Sequence, residues 1–237
     1  MQILHRLTVE GLTRYNPGEY VYLWIPLISP LEMHPFSISS IPESGAMTII
    51  IKADGNWTRR LARHPVKHIW IEGRYSASTI PTTFYPRLMM VAGGVGITPF
   101  ISMIKSIRER NLKNPDNITY VDLIWTSSTL DLFSHFYSDL LELMEDPAIR
   151  IHLYYTGKDD VYSILGEQCS KEFSDSINVA RVNVSDHLNV YASQLPRFAN
   201  VGVLSCGPSS LIKTTARACS FPRKKCVYVH HSESFGI

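Results

Sequence analysis

Cysteine is scarce in this chain: Cys169, Cys206, Cys219 and Cys226 are the only ones among 237 residues, with no Cys-x-x-Cys spacing and no histidine pair at zinc-ligand spacing nearby. That pattern excludes a zinc ribbon, an iron–sulfur cluster on neighbouring thiolates and a disulfide framework. It suits a reducing compartment, and no metal site is expected. Net charge is nearly absent as well, at +2, too small to draw the chain onto nucleic acid or an acidic surface. No apolar stretch reaches the roughly 18–20 residues of a membrane-spanning helix. The opening residues, Met-Gln-Ile-Leu-His-Arg-Leu, lack a basic region followed by an apolar run, so no signal peptide is read there. Repeats and low-complexity tracts are missing too. Asn-x-Ser/Thr sequons at Asn56, Asn117 and Asn183 are read as chance matches to a short pattern.

What is present suffices for two small domains with real cores: 45% of residues are hydrophobic and 19% charged, an ordinary globular balance. Residues 1–84 read as an antiparallel β-barrel. Apolar runs at 3–9, 20–25, 47–51 and 68–71 are separated by Pro17-Gly18, Ser29-Pro30, Pro42-Glu43-Ser44-Gly45 and Asp54-Gly55, all turn chemistry. A helical turn starts near Trp57-Thr58. From residue 85 to 237 the rhythm changes. Strands at 88–92, 121–125, 149–155, 177–184, 201–205 and 226–229 alternate with helices at 99–110, 130–144 and 209–219. Such alternation predicts a parallel sheet with helices on both faces. The boundary falls near 80–86, in Thr79-Ile80-Pro81-Thr82-Thr83.

Four runs stand out for their chemistry. Val91-Ala92-Gly93-Gly94-Val95-Gly96-Ile97-Thr98-Pro99-Phe100 follows a strand and opens a helix, with proline where an early helical position accepts it. Two readings are open: a tight strand–helix turn, or a backbone cradle for a pyrophosphate at a helix N-terminus. It is not the Gly-x-Gly-x-x-Gly fingerprint, and no acidic residue ends the next strand. Ser205-Cys206-Gly207-Pro208 sits at the carboxyl end of another strand, where open α/β sheets bind ligands; Cys206 is either a thiol at that edge or a small buried hydrophobe. His34-Pro35-Phe36-Ser37-Ile38-Ser39-Ser40 is an extended segment stiffened by proline, with hydroxyls to offer a flavin edge or a phosphate. Its plainer reading is an edge strand with one solvent-facing histidine. Glu233-Ser234-Phe235 ends in an aromatic that is either a packing plug or a functional cover.

Taken together and in order, these runs resemble the flavin reductase modules of the ferredoxin–NADP reductase superfamily. Within it, they are most similar to the cytosolic dehydrogenase region of ferric-chelate reductases and NADPH oxidases. Pro17-Gly18-Glu19-Tyr20-Val21 resembles the family's Pro-Gly-Gln-Tyr-Val strand, and Gly55-Asn56-Trp57-Thr58 its Gly-Asp-Trp-Thr segment. The resemblance implies an FAD-binding domain over 1–84 and an NAD(P)H-binding domain over 85–237. It implies that Phe36 and Ser37 lie against the isoalloxazine, with His34, Pro35, Ser39, Ser40, Thr58 and Gly73 around the rest of FAD. Gly93, Gly94, Gly96 and Thr98 would cradle the NADPH pyrophosphate, and Cys206, Gly207 and Pro208 would lie on the nicotinamide side. Arg181, in an Arg-Val-Asn that resembles the family's Arg-Pro-Asn, would meet the 2′-phosphate. Phe235 would cover the flavin until nicotinamide displaces it. Ser37, Cys206 and Phe235 are thus the candidate catalytic residues.

The implied activity is hydride transfer from NADPH to FAD. Single electrons would then pass to haem in a membrane domain outside this chain, on its cytosolic face, for ferric-chelate reduction. Superoxide generation, a soluble flavin reductase feeding a redox partner and a degenerate nucleotide-binding domain are the alternatives. The chain departs from the family in two places. Gly73-Arg74-Tyr75-Ser76 stands where members carry Gly-Pro-Tyr-Gly or Gly-Pro-Phe-Gly, which leaves Arg74 to meet a phosphate. Ile124-Trp125-Thr126-Ser127-Ser128 lacks the arginine that often follows the Trp. The barrel also begins one strand late against the family, which reads as an N-terminally incomplete domain.

Overall fold

The computed structural model describes residues 4–66, 68–76, 82–195, 199–221 and 226–233. The chain divides into two compact units, one of Met1–Thr79 with Thr98–Ser106, the other of Ile80–Ile97 with Ile107–Ile237.

In the first unit, β1 (Leu4–Glu10) pairs antiparallel with the strand Ala46–Lys52 (β4), and β2 (Glu19–Trp24) lies between β3 (Met33–Ser37) and β5 (Trp70–Ser76), again antiparallel. A bridge between Ile38 and Ile49 joins the two sheets. Alternation on β2 explains the core: Val21 and Leu23 are fully buried, while Tyr20, Tyr22 and Trp24 take the other face. Val21, Leu23, Ile25, Ile38, Ile49 and Ile51 pack with Trp57 of α1 (Asn56–Arg63). On β5, Gly73 and Arg74 oppose only Val21, a register shift between Tyr20 and Tyr22. Gly73 adopts φ +79° there, which marks a bulge opened by a left-handed glycine.

The second unit holds six parallel strands: β6 (Arg87–Gly93), β7 (Tyr120–Ser127), β8 (Ile149–Tyr155), β9 (Ile177–Val179), β10 (Ala199–Cys206) and β11 (Cys226–Glu233), in the spatial order β11-β10-β6-β7-β8-β9. Strands after β6 first add on one side, and β10 then returns to its other side. The reversal therefore lies between β6 and β10, and a ligand crevice is expected at their carboxyl ends. Leu88 to Ala92 are all buried, as a strand covered on both faces requires. Helix α2 (Thr98–Lys113) follows β6, and Phe100, Ile104 and Ile107, the residues at helical spacing, are buried.

Three expectations change. The helix expected over 130–144 is two, α3 (Asp131–His135) and α4 (Tyr137–Met144). Phe136 breaks them at φ −96°, ψ 6°, buried with its ring perpendicular to Trp125 at 5.7 Å. Two five-residue helices, α5 (Val161–Leu165) and α6 (Lys171–Asp175), occupy a stretch read as connection. The strand expected over 177–184 stops at Val179, because Asn183 caps a further helix, α7 (Val184–Gln194), by accepting from the backbone N–H of Ser185 and Asp186. The Asn183 sequon is thus a helix cap. Helix α8 (Ser209–Ser220) follows β10. No helix among the described residues is long and apolar enough to cross a membrane.

Candidate functional site

At the reversal point the two strand–helix turns interlock through their glycines. A Cβ on Gly93 would lie 2.6 Å from Pro208 and 2.9 Å from Leu211, one on Gly96 only 2.4 Å from the Cys206 carbonyl oxygen, and one on Gly207 2.8 Å from the Gly93 Cα. Gly207 also sits at φ +143°. These three glycines therefore let one backbone seat against another. Gly94 differs: it takes φ +56°, and a Cβ there would meet nothing within 4 Å. Its carbonyl accepts from the Trp125 indole N–H at 2.9 Å, which holds the turn with its open side at Gly94. A 3₁₀ turn, Gly94–Ile97, then leads into α2, so backbone N–H groups and a helix N-terminus follow the open glycine. That donor set fits a dinucleotide pyrophosphate. Thr98, the first residue of α2, is buried.

Cys206 is fully enclosed at the end of β10. Of its two readings, the small buried hydrophobe describes the side chain as it stands. Arg181 is exposed between β9 and the Asn183 cap. Phe235 lies outside the described residues.

In the first unit, His34 and Phe36 point to the same side of β3. The His34 ring centre is 4.7 Å from that of Trp57, and the Phe36 ring stacks on Trp57 at 5.9 Å. His34 Nε2 and Trp57 Nε1 are both buried without a hydrogen-bond partner. Two orphaned polar nitrogens beside one aromatic face cost about 1–3 kcal/mol each while unsatisfied, and a ligand offering polar atoms there removes that cost. FAD, with its phosphates, ribityl hydroxyls and flat ring, fits this chemistry. His34 is half-buried on β3, an edge strand of its sheet, with Nε2 its enclosed atom.

Pro35 and Ser37 pair with Tyr22 and Tyr20 across the ladder, and Ser37 is buried. The neighbouring hydroxyls are committed elsewhere. Ser39 Oγ donates to the Thr48 carbonyl at 3.0 Å. Ser40 Oγ donates to the Ala46 carbonyl, accepts from the Thr48 N–H at 2.8 Å and lies 2.6 Å from the Tyr15 hydroxyl. Burial pushes the Tyr15 phenol above its ordinary value, with the Ser40 bond pulling the other way. Ser39 and Ser40 thus shape the strand through these bonds. Thr58 Oγ1 accepts from the N–H groups of Asp54 and Gly55, both at 3.0 Å, at the start of α1. At the altered segment, Gly73 leaves room for the Tyr75 ring, which an added Cβ would meet at 2.0 Å. Arg74 donates to the Arg14 carbonyl through Nη1.

Two tryptophans gain a role that the sequence did not assign: Trp57 packs against His34 and Phe36 in the first unit, and Trp125 anchors Gly94 in the second. The Gly55-Asn56-Trp57-Thr58 run was a signal for the first. The Ile124-Trp125-Thr126-Ser127-Ser128 segment drew notice only for the arginine it lacks, because the partner of Trp125 lies on a turn far from it in sequence. Among the described residues no cluster of three His, Cys, Asp or Glu side chains is disposed to hold a metal.

A family model described as a ferric reductase NAD binding domain matches residues 85–220, and one described as an FAD-binding domain matches residues 5–83. NADPH oxidase 3 of Rattus norvegicus is 26% identical over 234 residues, covering 86% of this chain and 40% of that protein. Ferric reduction oxidase 8, mitochondrial, of Arabidopsis thaliana is 28% identical over 164 residues, covering 63% of this chain and 22% of that protein. The chain thus spans less than half the length of these curated relatives. Among solved structures, a ferredoxin NADP+ reductase from Neisseria gonorrhoeae with bound FAD and NADP superposes with a TM-score of 0.65 at 16% identity, covering 97% of this chain and 92% of that one. The fold is that of the ferredoxin–NADP reductases. The chain belongs to the family that carries the ferric reductase NAD binding domain, here joined to an FAD-binding domain.

Proposed function

We propose that this chain is the dehydrogenase module of a membrane reductase: it moves a hydride from NADPH to FAD and passes electrons singly to haem in a membrane domain, for the reduction of ferric chelates. FAD, when bound, supplies two-electron acceptance and one-electron release; the protein supplies binding, orientation and access. The observation that carries the proposal is the coexistence, in one chain, of the open Gly94 turn and the orphaned His34 and Trp57 nitrogens. In this reading His34, Phe36 and Trp57 hold FAD, and Ser37 stands near its reacting edge. Pro35 and Gly73 set the course of β3 and β5, Ser39 and Ser40 the strand beyond, and Thr58 the start of α1. Gly94 and the first turn of α2, opened by Thr98, receive the NADPH pyrophosphate. Gly93, Gly96, Gly207 and Pro208 hold that turn in shape. Arg181 meets the 2′-phosphate, Cys206 shapes the nicotinamide side from within β10, and Phe235 covers the flavin.

The purified chain is expected to be yellow and to bleach on anaerobic addition of NADPH; a yellow protein that does not bleach overturns the hydride step. Cys206→Ala is expected to retain FAD while anaerobic reduction slows roughly tenfold, because small changes of attack geometry cost that much. An unchanged rate removes Cys206 from its role. A second reading, superoxide generation, is favoured by the NADPH oxidases among the relatives. NADPH-driven ferric-chelate reduction measured against superoxide release, in the full-length membrane protein, separates the two. Superoxide alone overturns the ferric reading.

A further inference from the structure

The parallel sheet of the second unit has another opening, at the end opposite the glycine turns. Arg87 begins β6, Tyr120 begins β7, and Asp122, the third residue of β7, pairs with Arg150, the second of β8. The last turn of α7 brings Tyr191 and Gln194 to the same place, and together these residues line a cavity of about 260 Å³. The volume leaves room for a small polar head.

Its charges do not cancel. Asp122 is buried and clamped by Arg150, whose Nε and Nη2 lie 2.9 and 3.1 Å from its two oxygens. Arg150 Nη1 donates to Gln194 Oε1 at 3.2 Å. That pair is closed. Arg87 has no such carboxylate among the described residues: its guanidinium lies 4.6 Å over the Tyr120 ring. Tyr191 is only 3% exposed, and among the described residues its hydroxyl makes no hydrogen bond of good geometry, although Arg87 and Asp122 lie close enough to act on it. Burial and the nearby Asp122 carboxylate hold its phenol at about 12, against the pull of Arg87, so it remains a donor. Gln194, its oxygen taken, has its amide N–H groups left to give. Among the described residues, a cation with no carboxylate paired to it, a buried hydroxyl without a well-formed hydrogen bond and an amide with its N–H groups unassigned all border one small cavity. The missing piece is an acceptor carrying negative charge, and guanidinium suits oxoanions in particular.

We propose that this cavity is a binding site for a small oxoanion, the head of a phosphate monoester or a carboxylate, held by Arg87 with Tyr191 and Gln194 donating to its oxygens. It is separate from the FAD and NADPH sites and uses none of their residues. The test is titration of the FAD-bound, ¹⁵N-labelled chain with inorganic phosphate and, separately, acetate, at constant ionic strength. Saturable shifts at the Arg87, Tyr120, Tyr191 and Gln194 amides are expected with at least one of the two. Saturation by phosphate alone assigns a phosphate ester, and saturation by acetate alone a carboxylate. Arg87→Gln should weaken the binding at least tenfold and Tyr191→Phe about threefold, with anaerobic reduction by NADPH unchanged in both. In anion-free buffer Tyr191→Phe should also raise the melting temperature, because it deletes a hydroxyl that is buried and unsatisfied while the anion is absent. The proposal is overturned by shifts that do not saturate with either anion, by shifts confined to the Gly94 turn, or by equal affinity in Arg87→Gln and the parent. A Tyr191→Phe melting temperature below the parent's also counts against it, since the hydroxyl then has a partner.

Discussion

At the end of β6 the candidate site is made of backbone: Gly93, Gly96 and Gly207 are packed against neighbouring chain, and only Gly94 faces open space. Along β3 it is made of side chains, with His34 and Phe36 against Trp57 and two nitrogens left without partners. The first half is therefore rigid and pre-formed, its specificity set by where the main chain runs. The second half is incomplete by its own hydrogen-bond accounting and invites something to finish it. Substitutions in the two halves should fail differently: the backbone half by unfolding, the side-chain half by losing its ligand while staying folded.

The largest effect is expected from Gly96→Ala. Its Cβ would stand 2.4 Å from a main-chain oxygen, which no rotamer relieves, and a loss of about 3 kcal/mol or more is expected in urea unfolding. Gly94→Ala, facing open space at φ +56°, should cost only about 1 kcal/mol, the left-handed penalty. Equal losses at the two positions would break the distinction between locked and open glycines. Next is Ser40→Ala, which strips the Thr48 N–H and the Tyr15 hydroxyl of a partner. It should destabilise by about 2 kcal/mol and leave the affinity of the folded protein for FAD as it was; a selective loss of FAD would restore Ser40 as a ligand. His34→Ala should do the reverse. FAD retention in equilibrium dialysis is expected to fall about tenfold, roughly 1.4 kcal/mol, and full retention would sink the idea that the orphaned nitrogen faces the cofactor.

The smallest effect is one of pH, and it falls on the second unit. Burial first, then the neighbouring His152, holds His187 below its ordinary 6.5, while Asp122 and Asp186 pull it up. Burial and then His231 do the same to His230. Both act as neutral rings, one 2.7 Å from the Tyr154 hydroxyl, the other 2.8 Å from Ser205 Oγ. Groups with depressed folded values contribute their full stability above the unfolded value and lose it as pH falls through the folded one. Melting temperature should therefore decline modestly from about pH 7.5 to about pH 5, and Tyr154 and Ser205 should lose protection first. A flat profile would show that neither ring matters to the fold.

Much of this arrangement was legible beforehand for identifiable reasons. Strands such as β6 and β10 are unbroken apolar runs closed by glycine, and buried parallel strands can hardly be written otherwise. The short helices α5 and α6 were hidden because five residues are too few to display a helical period. The start of α7 was hidden because Asn183 sits in an apolar run that continues the β pattern, and its capping role shows only when its amide is seen meeting two N–H groups. Within the site, the glycines announced a special backbone but not its cause. Whether a glycine admits a phosphate or another turn depends on Gly207, far along the chain. The destinations of the Ser39 and Ser40 hydroxyls were invisible for the same reason, being set by the pairing of β4 beside them.

The interlocked turns carry a consequence for how this protein can vary. Because Gly93, Gly96 and Gly207 occupy each other's missing side chains, the segment after β6 and the segment after β10 behave as one part made in two pieces. Neither can be exchanged for a bulkier turn alone, and a graft from a related reductase would have to bring both. The freedom left at this edge is narrow: Gly94, which has space but a demanding backbone, and Cys206, which has an easy backbone but no space. Variation at this edge is thus confined to residues of about the size of cysteine at one position and to glycine or asparagine at the other.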